Sequence, residues 1–147
     1  ELSVSAIKEG TVIDHIPSNV TLKVVDILDL KGVRGIISIA TNLTSKTMGK
    51  KGIIKIGGKD LTKVETDKIA LIAPDATVNL IQNYEVKKKI KVAIPSTVNK
   101  IIKCSNPNCI TNNEKVTTKF YVLNKNPLKV RCHYCERNME KEDISLL

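Results

Sequence analysis

The sequence predicts an α+β protein: an antiparallel sheet with two helices on one face, followed by a small all-β domain. Three observations predict it. The core must be filled by Ile, Val and Leu, because the 147 residues include no Trp, one Phe and three Tyr, and β-branched residues favour strands. In the first two thirds of the chain the apolar period alternates between that of a strand and that of a helix, in the order strand, helix, strand, strand, helix, strand, strand. All four cysteines lie beyond Pro95, where the pattern changes. The order suits a ferredoxin-like sandwich with an added strand, so the predicted domains are residues 1–95 and 96–147.

Each element has its own signal. TVIDHIP, residues 11–17, sets Val12, Ile13 and Ile16 before Pro17 and reads as a strand. In SNVTLKVVDILDLKG, Val20, Val24, Ile27 and Leu28 recur at helical spacing, with Ser18 or Asn19 as cap and Gly32 as stop. VRGIISIATN and GIIKIG are strands paired as a hairpin through the turn-like SKTMGKKG. LTKVETDKIALIAP places Thr62 and Glu65 at capping-box spacing, with Val64, Lys68, Leu71 and Ile72 on one helical side before Pro74. ATVNLIQN and YEVKKKIKVAI are two further strands, joined around Gln82 and Asn83.

The net charge of +9, from 24 basic against 15 acidic residues, calls for an anionic partner such as nucleic acid, a nucleotide or an acidic protein. Arginine is confined to Arg34, Arg131 and Arg137, which argues against bidentate base recognition. The few aromatics argue against a polynucleotide-stacking platform. No apolar run approaches the roughly 20 residues of a membrane span, and no charged-then-apolar leader opens the chain, so a cytoplasmic protein is expected.

Cys104 and Cys109 flank SNPN, and Cys132 and Cys135 flank His133 and Tyr134. Two close pairs joined by a longer segment read as a tetrahedral zinc site, since a turn within each pair aims two thiolates at one point. KVTTKFYVLN and LKVR, on either side of NKNP, form the hairpin that brings the pairs together. Four protein ligands leave no open position, so one zinc per chain is structural rather than catalytic. It explains how a domain of about 50 residues folds. His133 is read as a surface residue. With the thiols committed, and no GxSxG, phosphate-loop glycine pattern or HExxH present, no other nucleophile or metal motif suggests catalysis.

Asp14 beside His15 looks like part of a catalytic triad, but neighbours on a strand point to opposite faces unless a bulge re-aims one of them. The surviving readings are a regulatory binding protein, a basic zinc ribbon for RNA or DNA, and an enzyme using Asp14, His15 and a lysine.

TVIDHIP, MGKKGIIKI, APDATVNLIQNYEV and KCSNPNCI with CHYCE together resemble the regulatory chain of aspartate carbamoyltransferase, from about residue 4 to the end. The resemblance implies a non-catalytic subunit of pyrimidine biosynthesis. Its first domain would bind CTP or ATP, and its zinc domain would contact the catalytic chain. It also implies a regulatory dimer and a nucleotide site of Ala6, Ile7, Val12, Asp14, His15, Lys51, Lys55, Asn79, Ile81, Tyr84, Val86 and Lys89, with Asp14 near the ribose and His15 near the phosphates. Lys51 and Lys55 share a strand face ~13 Å apart, and Asn79 and Ile81 share another, whereas Lys89 opposes Tyr84 and Val86 unless a bulge intervenes. Ser5 stands where the best-known members carry an acid. Asn112, Asn113, Lys119, Arg131, Tyr134 and Glu136 are the expected polar contacts to the catalytic chain.

Overall fold

β1 (Gly10–Pro17) is the middle strand of a five-stranded sheet, because its alternation buries Thr11 and Ile13 on one face and leaves Val12 and Asp14 half-exposed on the other. The computed structural model describes residues 6–147; Ser5 lies outside the described residues. The chain divides after Ala93 into two compact units. In the first, β1 is followed by a 3-10 turn (Ser18–Val20), α1 (Thr21–Ile27), β2 (Ile37–Ser45), β3 (Gly49–Gly57), α2 (Lys63–Ile72), β4 (Thr77–Gln82) and β5 (Glu85–Lys91). Neighbouring strands are antiparallel in the order β2-β3-β1-β4-β5, the ferredoxin-like arrangement with β5 added beside β4.

The helix-side face of the sheet buries Ile13, Ile54, Ile56 and Val78, and the helices contribute Val24, Ile69 and Ala70 to the same core. α1 sits so close to β3 that a Cβ on Gly52 would collide with the Thr21 hydroxyl. The two edge strands differ in charge: β2 (ISIATNLTS) carries none, whereas β5 (EVKKKIK) carries four lysines and a glutamate and is exposed throughout.

Three local expectations are corrected. α1 starts at Thr21 without a side-chain cap; the Ser18 hydroxyl instead accepts from the Asn42 N–H at 3.0 Å. The helix ends at Ile27, because Leu28 is already extended, and Gly32 lies beyond it in a turn. α2 has the expected capping box, but its buried residues are Glu65, Ile69, Ala70 and Leu71, while Val64 is 51 % exposed. The cause is Glu65, drawn inward by the donors described below. The β4–β5 turn is Asn83–Tyr84, both left-handed with φ of 52° and 65°, so Tyr84 belongs to the turn rather than to a strand.

The second unit contains β6 (Thr97–Asn99), β7 (Ile102–Lys103), α3 (Ile110–Asn113), β8 (Lys119–Lys125), β9 (Leu128–Cys132), β10 (Asn138–Glu140), a 3-10 turn (Lys141–Asp143) and β11 (Ser145–Leu146). A four-stranded sheet, β10-β9-β8-β6, and a two-stranded one, β11-β7, enclose Val98, Ile102, Phe120, Val130 and Met139. It is all-β apart from the single turn of α3. Among the described residues, no helix of either unit is long and apolar enough to cross a membrane.

Candidate functional site

The sheet face opposite the helices gathers the first group of expected residues through two bulges. On β1 the register with β3 slips between Ile13 and Ile16. His15 takes up the slack with φ of 59°. It does not diverge from Asp14 as strict alternation requires. Its Nδ1 lies 3.0 Å from the Thr77 hydroxyl, and Thr77 is paired with Asp14 on β4. The Asp14 carboxylate accepts the His15 backbone N–H at 2.6 Å and forms an ion pair with Lys51 at 2.9 Å. Aspartate and imidazole thus have separate side-chain partners, Lys51 and Thr77, so the carboxylate does not orient the ring as a triad acid would.

The second bulge is on β5. Ile81 pairs with Val86, but Leu80 pairs with Lys88 and Asn79 with Lys89, so Lys87 is the extra residue. Residues directly opposite each other in antiparallel strands share a face. The extra residue therefore turns Lys89, and not Lys88, to the side of Asn79. Because Val12 pairs with both Lys55 and Asn79, one row crosses four strands on the open face: Lys55, Val12, Asn79, Lys89. The Asn79 amide donates to the Val12 carbonyl at 3.3 Å and fixes the middle of the row. The Tyr84 N–H donates to the Lys8 carbonyl at 3.0 Å, which ties the chain ahead of β1 to the β4–β5 turn; Ile81 pairs with Val86 beside that turn. Tyr84, in the turn, and Val86, on β5, are 64 % and 58 % exposed. Thr77 was missed by sequence reasoning. Its signal was available, since it alternates with Asn79 and Ile81.

The four cysteines meet in the second unit. Cys104 and Cys135 sulfurs are 3.6 Å apart, Cys109 and Cys132 3.8 Å, and all four lie within 4.8 Å of one another. Tetrahedral zinc with bonds of about 2.3 Å requires sulfurs roughly 3.8 Å apart, so this donor set fits that ion. Burial and the neighbouring thiols push the Cys104 thiol up to about 12. Burial also raises Cys132. At Cys135 burial acts upwards too, but the Arg137 N–H and other hydrogen bonds bring it down to about 7. A divalent cation at the centre of the cluster would replace these costs by direct bonds to thiolates.

Backbone turns shape both pairs: the Cys109 N–H donates to Asn106 O, the Cys132 N–H to Arg137 O and the Glu136 N–H to Cys132 O, each at 3.0 Å. Of the residues expected to face a partner, Asn112 and Asn113 have their amide donors turned inward. Asn112 holds the carbonyls of Cys104 and Asn106, Asn113 those of Pro107 and Cys109. Lys119 lies over the Tyr121 ring, and Arg131 donates to Asn138. His133 is exposed, 2.6 Å from the Tyr121 hydroxyl and edge-on to Tyr134.

Residues 2–93 match the family model for the aspartate carbamoyltransferase regulatory chain, allosteric domain, and residues 96–145 the model for its metal binding domain. The chain is 60 % identical over 146 residues to the aspartate carbamoyltransferase regulatory chain of Pyrococcus horikoshii, covering 98 % of this chain and 96 % of that one. It is 49 % identical to that of Thermococcus kodakarensis over 145 residues (98 % and 95 %) and 46 % identical to that of Bacteroides fragilis over 146 residues (99 % and 95 %).

Proposed function

This chain belongs to the family of aspartate carbamoyltransferase regulatory chains, and on that premise we propose that it binds a nucleoside triphosphate, CTP or ATP, on the open face of its first sheet and modulates a catalytic chain of pyrimidine biosynthesis. The carrying observation is the four-strand row of Lys55, Val12, Asn79 and Lys89, with the Asp14–Lys51 pair and His15 on the same face. Lysines from β3 and β5 frame the row and suit the two ends of a polyanion, with His15 adding a donor. Asp14, held by Lys51, is the acceptor for ribose hydroxyls. Ala6, Ile7, Ile81, Tyr84 and Val86 supply the apolar end for a base. A nucleotide acts at a distance only through different affinities for two quaternary states, and a sheet face that collects residues from β1, β3, β4 and β5 can report such a change.

The chain carries no catalytic role in this reading. Zinc, one per chain, fixes residues 96–147 as the surface that holds the catalytic chain, and the first domain pairs with its own copy. The charge pattern favours β2 as the pairing edge, because β5 is lined with lysines. The complex so described is a cytoplasmic one.

Titration calorimetry of CTP and ATP into the complex with its catalytic chain tests the site. Lys55→Ala or Lys89→Ala should weaken CTP by about 1–3 kcal/mol, the loss of a hydrogen bond to a charged group, and affinity should fall with added salt. Native complex that takes up neither nucleotide would sink the reading.

A further inference from the structure

The metal centre has a device in its surroundings that its four ligands do not explain. The Thr111 hydroxyl lies 3.1 Å from the Cys109 sulfur. A metal-bound thiolate has no proton to give, so the hydroxyl must be the donor. We propose that Thr111 is a positioning residue of the metal centre. Its hydrogen bond fixes the Cys109 sulfur, while Asn112 and Asn113 lock the loop that carries Cys104 and Cys109. This rests on the cysteine cluster holding an ion.

Three consecutive side chains carry the argument. They follow Ile110 in α3, and all turn back onto the loop of residues 104–109. Asn112 spends its amide on the carbonyls of Cys104 and Asn106 at 2.9 and 2.8 Å. Asn113 donates to the carbonyls of Pro107 and Cys109 at 3.0 and 2.9 Å. Both asparagines thereby clamp a backbone that carries two of the four sulfurs, through bonds that need no ion. Thr111 adds the direct one. A hydrogen bond to a thiolate withdraws charge from it, which weakens its attack on electrophiles and fixes the direction of its lone pairs. The α3 segment is too short to be stable as a helix by itself; its side chains give it a purpose as a clasp on the first cysteine pair.

The test uses the full chain loaded with cobalt(II) or zinc(II). Thr111→Val removes the donor and keeps the shape. The sulfur-to-cobalt charge-transfer band should move to longer wavelength, because an unbonded thiolate gives up charge more easily. Zinc transfer to a chelating dye should be about tenfold faster, at the lower end of the effect of losing a partner to a metal ligand. Thr111→Ser should restore both properties. A T111V chain with an unmoved band and native release rate would overturn the proposal, as would a fast-releasing T111V that T111S fails to rescue. If T111V does not fold, T111A read against T111S decides on the same two measurements. A native chain that takes up neither ion would sink the metal centre itself, a failure distinct from an unshifted variant.

Discussion

Glu65 is a buried carboxylate with an unusual set of partners. Burial alone would raise its pKa, but the Thr62 and Asp29 backbone N–H groups, at 3.0 and 3.1 Å, and the Lys59 ammonium, at 3.4 Å, hold it below its ordinary value. A depressed carboxylate contributes stability above its unfolded pKa and loses it as the pH falls through the folded one. Glu65→Gln should therefore destabilise the first unit by about 2 kcal/mol at neutral pH. The gap to the native chain should close as the pH drops below about 4. Urea unfolding at several pH values checks this, and an undiminished gap in acid would contradict it. Half of this residue's role was legible: Thr62 and Glu65 have capping-box spacing, but Asp29 and Lys59 are brought in by the fold. His15 was less legible still. Nothing in TVIDHIP marks the left-handed backbone that sets imidazole and carboxylate on one side, because a bulge is a property of the ladder and not of one strand.

At the scale of elements, the approach of α1 to β3 depends on Gly52, where any side chain meets Thr21. Gly52→Ala should cost about 1–3 kcal/mol, the usual penalty of overpacking, measured by thermal unfolding. A neutral variant would mean that α1 is free to lift. Order and type of the strands and helices were readable because β-branched runs and the capping box are local signals. The face that α2 buries was not, since apolar spacing alone favoured Val64, and the polar anchor at Glu65 turned the helix. The position of Lys89 was readable only as a conflict. Strict alternation set it against Tyr84 and Val86, the family resemblance set it in the same nucleotide site as they are, and the extra residue at Lys87 pairs Lys89 with Asn79.

For the molecule as a whole, the cysteine spacing was the strongest signal in the sequence, and the four sulfurs do converge. Stripping the metal with a mercurial should melt the second unit, which is near the size where a core alone is insufficient. The first unit, with its own buried core, should stay folded. Hydrogen exchange read separately over residues before and after Ala93 checks both halves, and protection that survives in the second unit would show a core that needs no ion. The two edges of the first sheet bear on assembly in another way. Were both edges adhesive, each added copy would expose a fresh one, and growth would continue as a filament. Replacing Lys87, Lys88 and Lys91 by Thr, with Lys89 kept, should turn a fixed particle size into open-ended growth in light scattering; unchanged size would assign the limit to something else. In the proposed dimer the lysines of β5 would serve as a chain terminator, and a sheet able to polymerise at one end only would be a sheet that counts to two.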